Sequence, residues 1–113
     1  MLEATRSAIA AAGLATLLAS AAAAPASQAA AGGATIAIAA MAYAPVVQHA
    51  RRGARVTWVN QDLVAHTVSA GDGSFRSPAI APGASWSLVP AKAGTFAYAC
   101  DFHPTMSATL VVE

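Results

Sequence analysis

The run Arg55-Val56-Thr57-Trp58-Val59-Asn60 is the strongest strand signal in the chain. Val56 and Trp58 share one face of an extended backbone, and Thr57 and Val59 share the other. β-Branched and aromatic residues that alternate in this way are typical of a half-buried strand. The run therefore predicts a β-strand and indicates a fold built from strands.

Further short strands are predicted on both sides of this run. Pro45, Gly83 and Gly94 mark turns between them, and Pro78 interrupts any ladder over 75–80, which is predicted to be irregular. No stretch after the leader has the period of a helix. Turn signals that recur about every 8 to 12 residues favour an antiparallel β-sandwich. The other predicted extended stretches are 34–41, 46–50, 66–69, 85–89, 95–100 and 107–113.

Length and charge narrow the possible functions. The chain has 113 residues, which is enough for one small domain. It carries 6 Lys and Arg against 5 Asp and Glu. A balance this close to neutral gives no basis for binding nucleic acid or an anionic membrane. We therefore predict no nucleic-acid partner.

The first residues have the layout of a secretory signal peptide. A short head with Arg6 precedes an alanine-rich apolar run from Ala8 to Ala24, and small residues suited to cleavage follow. The alternative is an uncleaved anchor, which the weakly apolar alanine run does not favour, because a span needs about 20 strongly apolar residues. We predict a signal peptide and leader over 1–31, one domain over 32–113, and a periplasmic or secreted mature form that does not span the membrane.

Cys100 is the single cysteine of the chain. In an oxidising compartment a lone thiol has no partner within its own chain, so it is either a liability or a ligand. Export therefore favours a metal-binding role for Cys100, although it does not prove one.

The stretch Tyr98-Ala99-Cys100-Asp101-Phe102-His103-Pro104-Thr105-Met106 offers three metal-binding groups at three-residue intervals. A loop this short can turn Cys100, His103 and Met106 towards one point. A thiolate, an imidazole and a weak thioether suit copper better than zinc, calcium or magnesium. A trigonal copper site needs a second imidazole, and His66 is the obvious candidate.

From about Met41 to Glu113 the chain resembles the cupredoxins, the small amicyanin- and plastocyanin-like type I copper proteins. The Cys-x-x-His-x-x-Met spacing at Cys100 resembles the short ligand loop of this family. The upstream Asn-x-Asp-x-x-x-His pattern that ends at His66 resembles its other ligand-bearing segment. The combination of the two patterns is far more specific than either alone.

The resemblance implies a Greek-key β-sandwich of the cupredoxin type that holds one type I copper ion. His66, Cys100 and His103 would be its equatorial ligands, and Met106 its weak axial ligand. Asn60 would tie the two ligand-bearing loops together, and Pro104 would stiffen the second loop. The alternatives without a metal are that Met106 only fills the core and that Asn60 only closes a turn.

The same resemblance implies an exported electron carrier, not an enzyme, that cycles Cu(II) and Cu(I). It would be a monomer with transient protein redox partners that dock near His103. Val64, Ala65, Phe102 and Pro104 would form the apolar docking patch. The alternative function is copper delivery or buffering without a redox partner, since both functions use the same ligands.

Some positions depart from the family pattern or have no part in it. Asp101-Phe102 stands where the family usually has Thr-Pro, and an ionised Asp101 beside the thiolate would stabilise Cu(II) and lower the reduction potential. Thr105 replaces a bulkier residue. His49 matches no ligand position and is predicted to be a surface histidine. Trp58, Phe96 and Tyr98 are predicted core residues.

Overall fold

The structure, a computed structural model, describes residues 33–113. The predicted signal peptide and leader, 1–31, lie outside the described residues. Within 33–113 there is no helix long and apolar enough to cross a membrane.

Eight β-strands and no helix make up the described part of the chain, in agreement with the predicted all-β class. The strands lie close to the stretches expected from residue alternation. One of them, β2, was not predicted as a separate strand. The strands are β1 Ala34–Ala39, β2 Ala42–Ala44, β3 Val47–Ala50, β4 Val56–Asn60, β5 Ser69–Ala70, β6 Ser85–Leu88, β7 Gly94–Ala99 and β8 Ser107–Val112.

The strands form two four-stranded sheets that pack face to face as a β-sandwich. One sheet has the order β2-β1-β4-β6 and the other β3-β8-β7-β5. The sandwich is confirmed, but its sheets are not purely antiparallel as predicted: β1 pairs with β4, and β3 with β8, in parallel. Between β1 and β4 the chain crosses to the opposite sheet and forms β3 there. When it comes back to the first sheet as β4, it runs in the same direction as β1. Alternation along a strand carries no signal for this crossover.

Alternation along the strands produces the core. Val56 and Trp58 of β4 are fully buried, as are Ile36 and Ile38 of β1 beside them. From the other sheet, Tyr98 packs edge-on against Trp58, with ring centroids 5.6 Å apart. Trp58 and Tyr98 are thus core residues, as predicted, while Phe96 is partly buried against the core.

A two-residue turn joins β1 to β2. Ala40 and Met41 both have positive φ angles, 51° and 59°. This is the geometry of the tight hairpin turn that glycine and asparagine normally supply. Because neither residue signals a turn, the sequence did not reveal that β1 ends at Ala39 and that a separate edge strand, β2, follows.

The middle of the chain is held by isolated bridges. His66 pairs with Ile80 and Ser69 pairs with Arg76, without a continuous ladder. The stretch 75–80 is irregular, as Pro78 predicted. Of the predicted extended stretch 66–69, only Ser69 lies in a strand, which is β5, Ser69–Ala70.

The strand directions bring the predicted ligands to one end of the sandwich. β4 ends at Asn60 just before the His66 segment, β7 ends just before Cys100, and β8 begins just after Met106. Since β4 and β7 end where β8 begins, the two ligand-bearing segments meet at this end. The opposite end carries Arg55, which precedes β4, and Lys92, which precedes β7.

Candidate metal centre

A tight turn presents the second ligand-bearing segment. The Cys100 amide donates to the Met106 carbonyl at 3.1 Å, and the Met106 amide donates to the His103 carbonyl at 2.9 Å. These two bonds close the loop on itself as β7 passes into β8. Pro104 has no amide hydrogen and a fixed φ, so it limits the freedom of the turn at its centre.

The first ligand-bearing segment is organised by the buried side chain of Asn60. Its amide nitrogen donates to the carbonyl oxygens of Val64 and Ile80, at 2.8 and 2.9 Å. Its oxygen accepts the Asp62 amide at 2.9 Å. His66 is then fixed by paired backbone bonds with Ile80. Asn60 therefore shapes the loop that leads to His66.

Three side chains converge where the two segments meet. The sulfur of Cys100 lies 3.8 Å from Nδ1 of His66 and 3.7 Å from Nδ1 of His103. All three donor atoms lie within 4.8 Å of one another. His66 and Cys100 are almost completely buried, 0% and 1% exposed. The structure thus brings together one sulfur and two imidazole nitrogens, each of which can offer a lone pair.

The surroundings of Cys100 favour its ionised form. Burial raises the pKa of the thiol, but hydrogen bonds from the backbone of Thr67, from His66 and His103, and from the backbone of Phe102 outweigh it and lower the pKa to about 6. A thiolate is the form that binds metal. The protein therefore prepares Cys100 for ligation.

Asp62 fixes the orientation of the His66 ring. Its Oδ2 lies 2.8 Å from Nε2 of His66, so Asp62 accepts the proton on Nε2 and Nδ1 is the ring nitrogen that faces Cys100. The same carboxylate accepts the amides of Ala40 and Met41, at 2.7 and 3.0 Å. These bonds, led by that from Met41, hold the pKa of Asp62 below its ordinary value. No role was predicted for Asp62, although it lies only four residues before His66 in the sequence.

Thr67 makes the bond between the two segments that was expected of Asn60. Its hydroxyl accepts the Asp101 amide at 2.8 Å, while its own amide donates to the Cys100 sulfur at 3.4 Å. The hydrogen bonds of the Asn60 side chain all stay within its own loop and the neighbouring Ile80. The hydrogen bonds between the two segments thus involve Thr67, whereas the Asn60 side chain bonds within the turn that it closes.

Met106 is buried, 4% exposed, and its backbone bonds to Cys100 and His103 fix its position relative to both. His49, the histidine without a predicted role, is exposed and lies 3.2 Å from the Glu113 carboxylate, away from the site. The structure thus separates the two site histidines from the third.

The protein surface over this end is apolar. His103 is half-buried, whereas His66 is fully buried, so His103 is the ring that is nearer to solvent. In the two ligand-bearing segments, Phe102, Val64 and Pro104 are exposed and Ala65 is half-buried. Leu63, which was not among the predicted patch residues, is 95% exposed. An exposed cluster of large apolar side chains is typical of an interaction surface.

Comparison with known proteins agrees with this geometry. The family model of the cupredoxin-like domain matches residues 8–112. The chain belongs to the cupredoxin-like domain family. The match begins within the predicted leader, so the boundary at residue 32 remains a prediction.

Individual cupredoxins resemble the chain at moderate identity. Amicyanin from Paracoccus denitrificans is 32% identical in an alignment of 81 residues that covers 67% of this chain and 62% of the amicyanin. The chain thus spans less than two thirds of that relative. A solved amicyanin variant in its Cu(I) form is 33% identical over 73% of this chain and 83% of its own, with a TM-score of 0.68. A purple cupredoxin from Nitrosopumilus maritimus is 29% identical over 71% of this chain and 99% of its own, with a TM-score of 0.65.

The donor set fits the metal of the cupredoxins. A thiolate with two imidazoles is a soft to intermediate set that suits copper. The carboxylates nearby, Asp62 and Asp101, accept hydrogen bonds from protein groups. Family membership and the three donor atoms together support one copper ion, as the sequence predicted.

Proposed function

We propose that the protein is an exported electron carrier that cycles one type I copper ion between Cu(II) and Cu(I). Its ligands would be Nδ1 of His66, the sulfur of Cys100 and Nδ1 of His103, with Met106 as the weak axial ligand. The observation that carries the proposal is the cluster of these three donor atoms within 4.8 Å of one another. The amicyanin relative supports the same function.

The residues around the site favour a carrier because they hold the ligands in place. When bound, copper supplies a one-electron Cu(II)/Cu(I) couple. Asp62 orients His66, Thr67 donates to the Cys100 sulfur, and the backbone bonds of the loop fix His103 and Met106. Ligands that cannot rearrange keep the cost of changing the oxidation state small. The same rigidity disfavours copper delivery, which needs ligands that can exchange.

Electrons would enter and leave through His103. Its ring is half-buried, and exposed apolar residues of the two ligand-bearing segments, Leu63, Val64, Phe102 and Pro104, lie at the same end of the sandwich. A small apolar surface suits a transient redox partner, which must dock and separate quickly. A partner that docks over His103 would not contact His66, which is fully buried.

Two matched variants test this entry route. We expect Phe102→Lys, which puts a charge on the surface over His103, to slow electron self-exchange between oxidised and reduced protein. Val89→Lys is the control, since Val89 is also half-exposed but follows β6 at the opposite end of the sandwich. Equal rates in the two variants would contradict the proposed route.

Copper transfer to a chelator separates the two functions. We expect the copper-loaded protein to undergo repeated reduction and oxidation in the presence of a competing Cu(I) chelator without losing metal. Release of the ion to the chelator on reduction would favour delivery or buffering instead. Reversible one-electron voltammetry on the same sample measures the couple directly.

A further inference from the structure

Asp101 lies within a group of polar side chains at the edge of the candidate metal centre. Its Oδ2 accepts a hydrogen bond from the Ser69 hydroxyl at 2.9 Å and lies 3.2 Å from Nη2 of Arg76. Its amide donates to the Thr67 hydroxyl at 2.8 Å. We call Ser69, Arg76 and Asp101 the clasp. Ser69 and Arg76 belong to paired segments, because an isolated β-bridge joins them.

The clasp acts on the residue next to Cys100. Asp101 is bonded through its side chain to Ser69 and Arg76 and through its amide to Thr67. Thr67 in turn donates its own amide to the Cys100 sulfur at 3.4 Å. The sulfur is therefore connected to the clasp both along the chain and through Thr67. A displacement of Asp101 would therefore shift both the backbone next to Cys100 and Thr67, whose amide donates to the sulfur.

A contribution to folding stability does not explain the ion pair between Arg76 and Asp101. The Arg76 and Asp101 side chains are 73% and 35% exposed. An ion pair this exposed contributes little to stability. Its charges matter more, because a carboxylate beside the Cys100 thiolate would favour the more positive metal ion, and Arg76 lies close enough to offset it.

We propose that Arg76 is a positioning residue of the metal centre: it holds Asp101 against Ser69 and compensates the carboxylate charge, so that Asp101 orders the ligand loop without strongly lowering the reduction potential. This proposal rests on the copper function proposed above. It revises the expectation that the Asp101 charge acts alone. Removal of Arg76 exposes the charge, and removal of Asp101 leaves Arg76 without its counter-charge.

The reduction potential tests the electrostatic part. We expect Arg76→Gln to lower the potential, Asp101→Asn to raise it, and the double variant to lie between the two single variants and near the unmodified protein. The control is Arg55→Gln, which removes the same charge at the opposite end of the sandwich and should leave the potential unchanged. A potential in Arg76→Gln equal to that of Arg55→Gln would overturn the charge compensation.

Hydrogen exchange in the metal-free protein tests the positional part independently of copper. We expect the Asp101 amide to exchange roughly two- to fivefold faster in Arg76→Gln, the range that loss of an exposed ion pair predicts. Ser69→Ala, which removes a clasp bond without changing charge, should also speed exchange while leaving the potential nearly unchanged. Exchange that is unaffected in both variants would overturn the clasp. Failure of the unmodified protein, as well as of the variants, to bind copper would overturn the proposed function alone.

Discussion

The Cys100 thiol lies among two imidazole nitrogens and the Thr67 amide at the end of β7. Burial and hydrogen bonding act on it in opposite directions. The hydrogen bonds prevail, because each of them stabilises the thiolate more than the thiol. The residue is therefore a candidate ligand for a physical reason that is independent of family resemblance.

A pH titration of the metal-free protein tests this balance. We expect the folded protein to form the thiolate with a pKa of about 6, below the ordinary thiol value of 9.0. Thiolate absorbance in the ultraviolet measures it, and urea-unfolded protein, which should titrate in the ordinary thiol range, is the control. A folded midpoint in the ordinary range would contradict the hydrogen-bonding account.

The sign of the accompanying stability change follows from linkage. Between about pH 6 and pH 9.0 the unfolded chain retains a proton on Cys100 that the folded protein has lost. The Cys100 contribution to the free energy of unfolding therefore rises with pH across this window. It is complete above the unfolded pKa and is lost as the pH falls through the folded pKa.

The sequence revealed some of these residues and not others for one reason, which is the distance along the chain between contacting groups. Cys100, His103 and Met106 were predictable as a set because their regular spacing lies within one short loop. Asp62 accepts bonds from the β1–β2 turn, which lies more than 20 residues earlier in the chain, and Thr67 contacts Asp101 across 34 residues. No local pattern encodes such pairings.

At the scale of elements, the β1–β2 turn and the His66 segment depend on each other. The turn places Ala40 and Met41 at positive φ, which costs roughly 1–2 kcal/mol for each non-glycine residue. Asp62 accepts both amides of this turn and also faces Nε2 of His66. A single carboxylate thus joins an unfavourable turn to a candidate ligand.

We expect Asp62→Ala to weaken both elements. The denaturant midpoint of the metal-free protein should fall, because the two turn amides lose their acceptor. The His66 ring should also lose its preference for a proton on Nε2, which nitrogen NMR shifts report. Asp72→Ala is the control, since Asp72 caps the Ser74 amide in a turn of its own. A midpoint that falls equally in both variants, with His66 unchanged, would contradict the link.

At the scale of the whole molecule, the sequence predicted the sandwich but not the arrangement of its strands. Val56 and Trp58 reveal a buried face, and the turn residues mark most of the strand boundaries, although not the boundary between β1 and β2. Which strands pair depends on where the chain crosses between sheets, and the parallel β1–β4 and β3–β8 pairs arise from those crossings. The meeting of the two ligand-bearing segments follows from the same topology.

Two buried tyrosines of the core differ in their hydrogen bonding. Tyr43 and Tyr98 pack edge-on with ring centroids 4.8 Å apart. The Tyr43 hydroxyl donates to the Thr67 carbonyl, whereas the Tyr98 hydroxyl has no hydrogen-bond partner among residues 33–113. The same chemical change should therefore have different effects at the two positions.

We expect Tyr43→Phe to reduce the free energy of unfolding by about 1–3 kcal/mol, because a buried carbonyl loses its partner. Tyr98→Phe should cost less, since the Tyr98 hydroxyl makes no hydrogen bond of good geometry there. Urea unfolding of the two variants measures both values. A larger loss in Tyr98→Phe than in Tyr43→Phe would contradict this assignment of the core hydrogen bonds.

The most direct test of the account is the visible and electron paramagnetic resonance spectrum of the protein with one equivalent of Cu(II). We predict an intense visible thiolate-to-copper charge-transfer band and the narrow hyperfine splitting of a type I site, both lost in Cys100→Ser. A pale protein with an ordinary tetragonal copper spectrum, unchanged in Cys100→Ser, would contradict the Cys100, His66 and His103 site and the electron-transfer function with it.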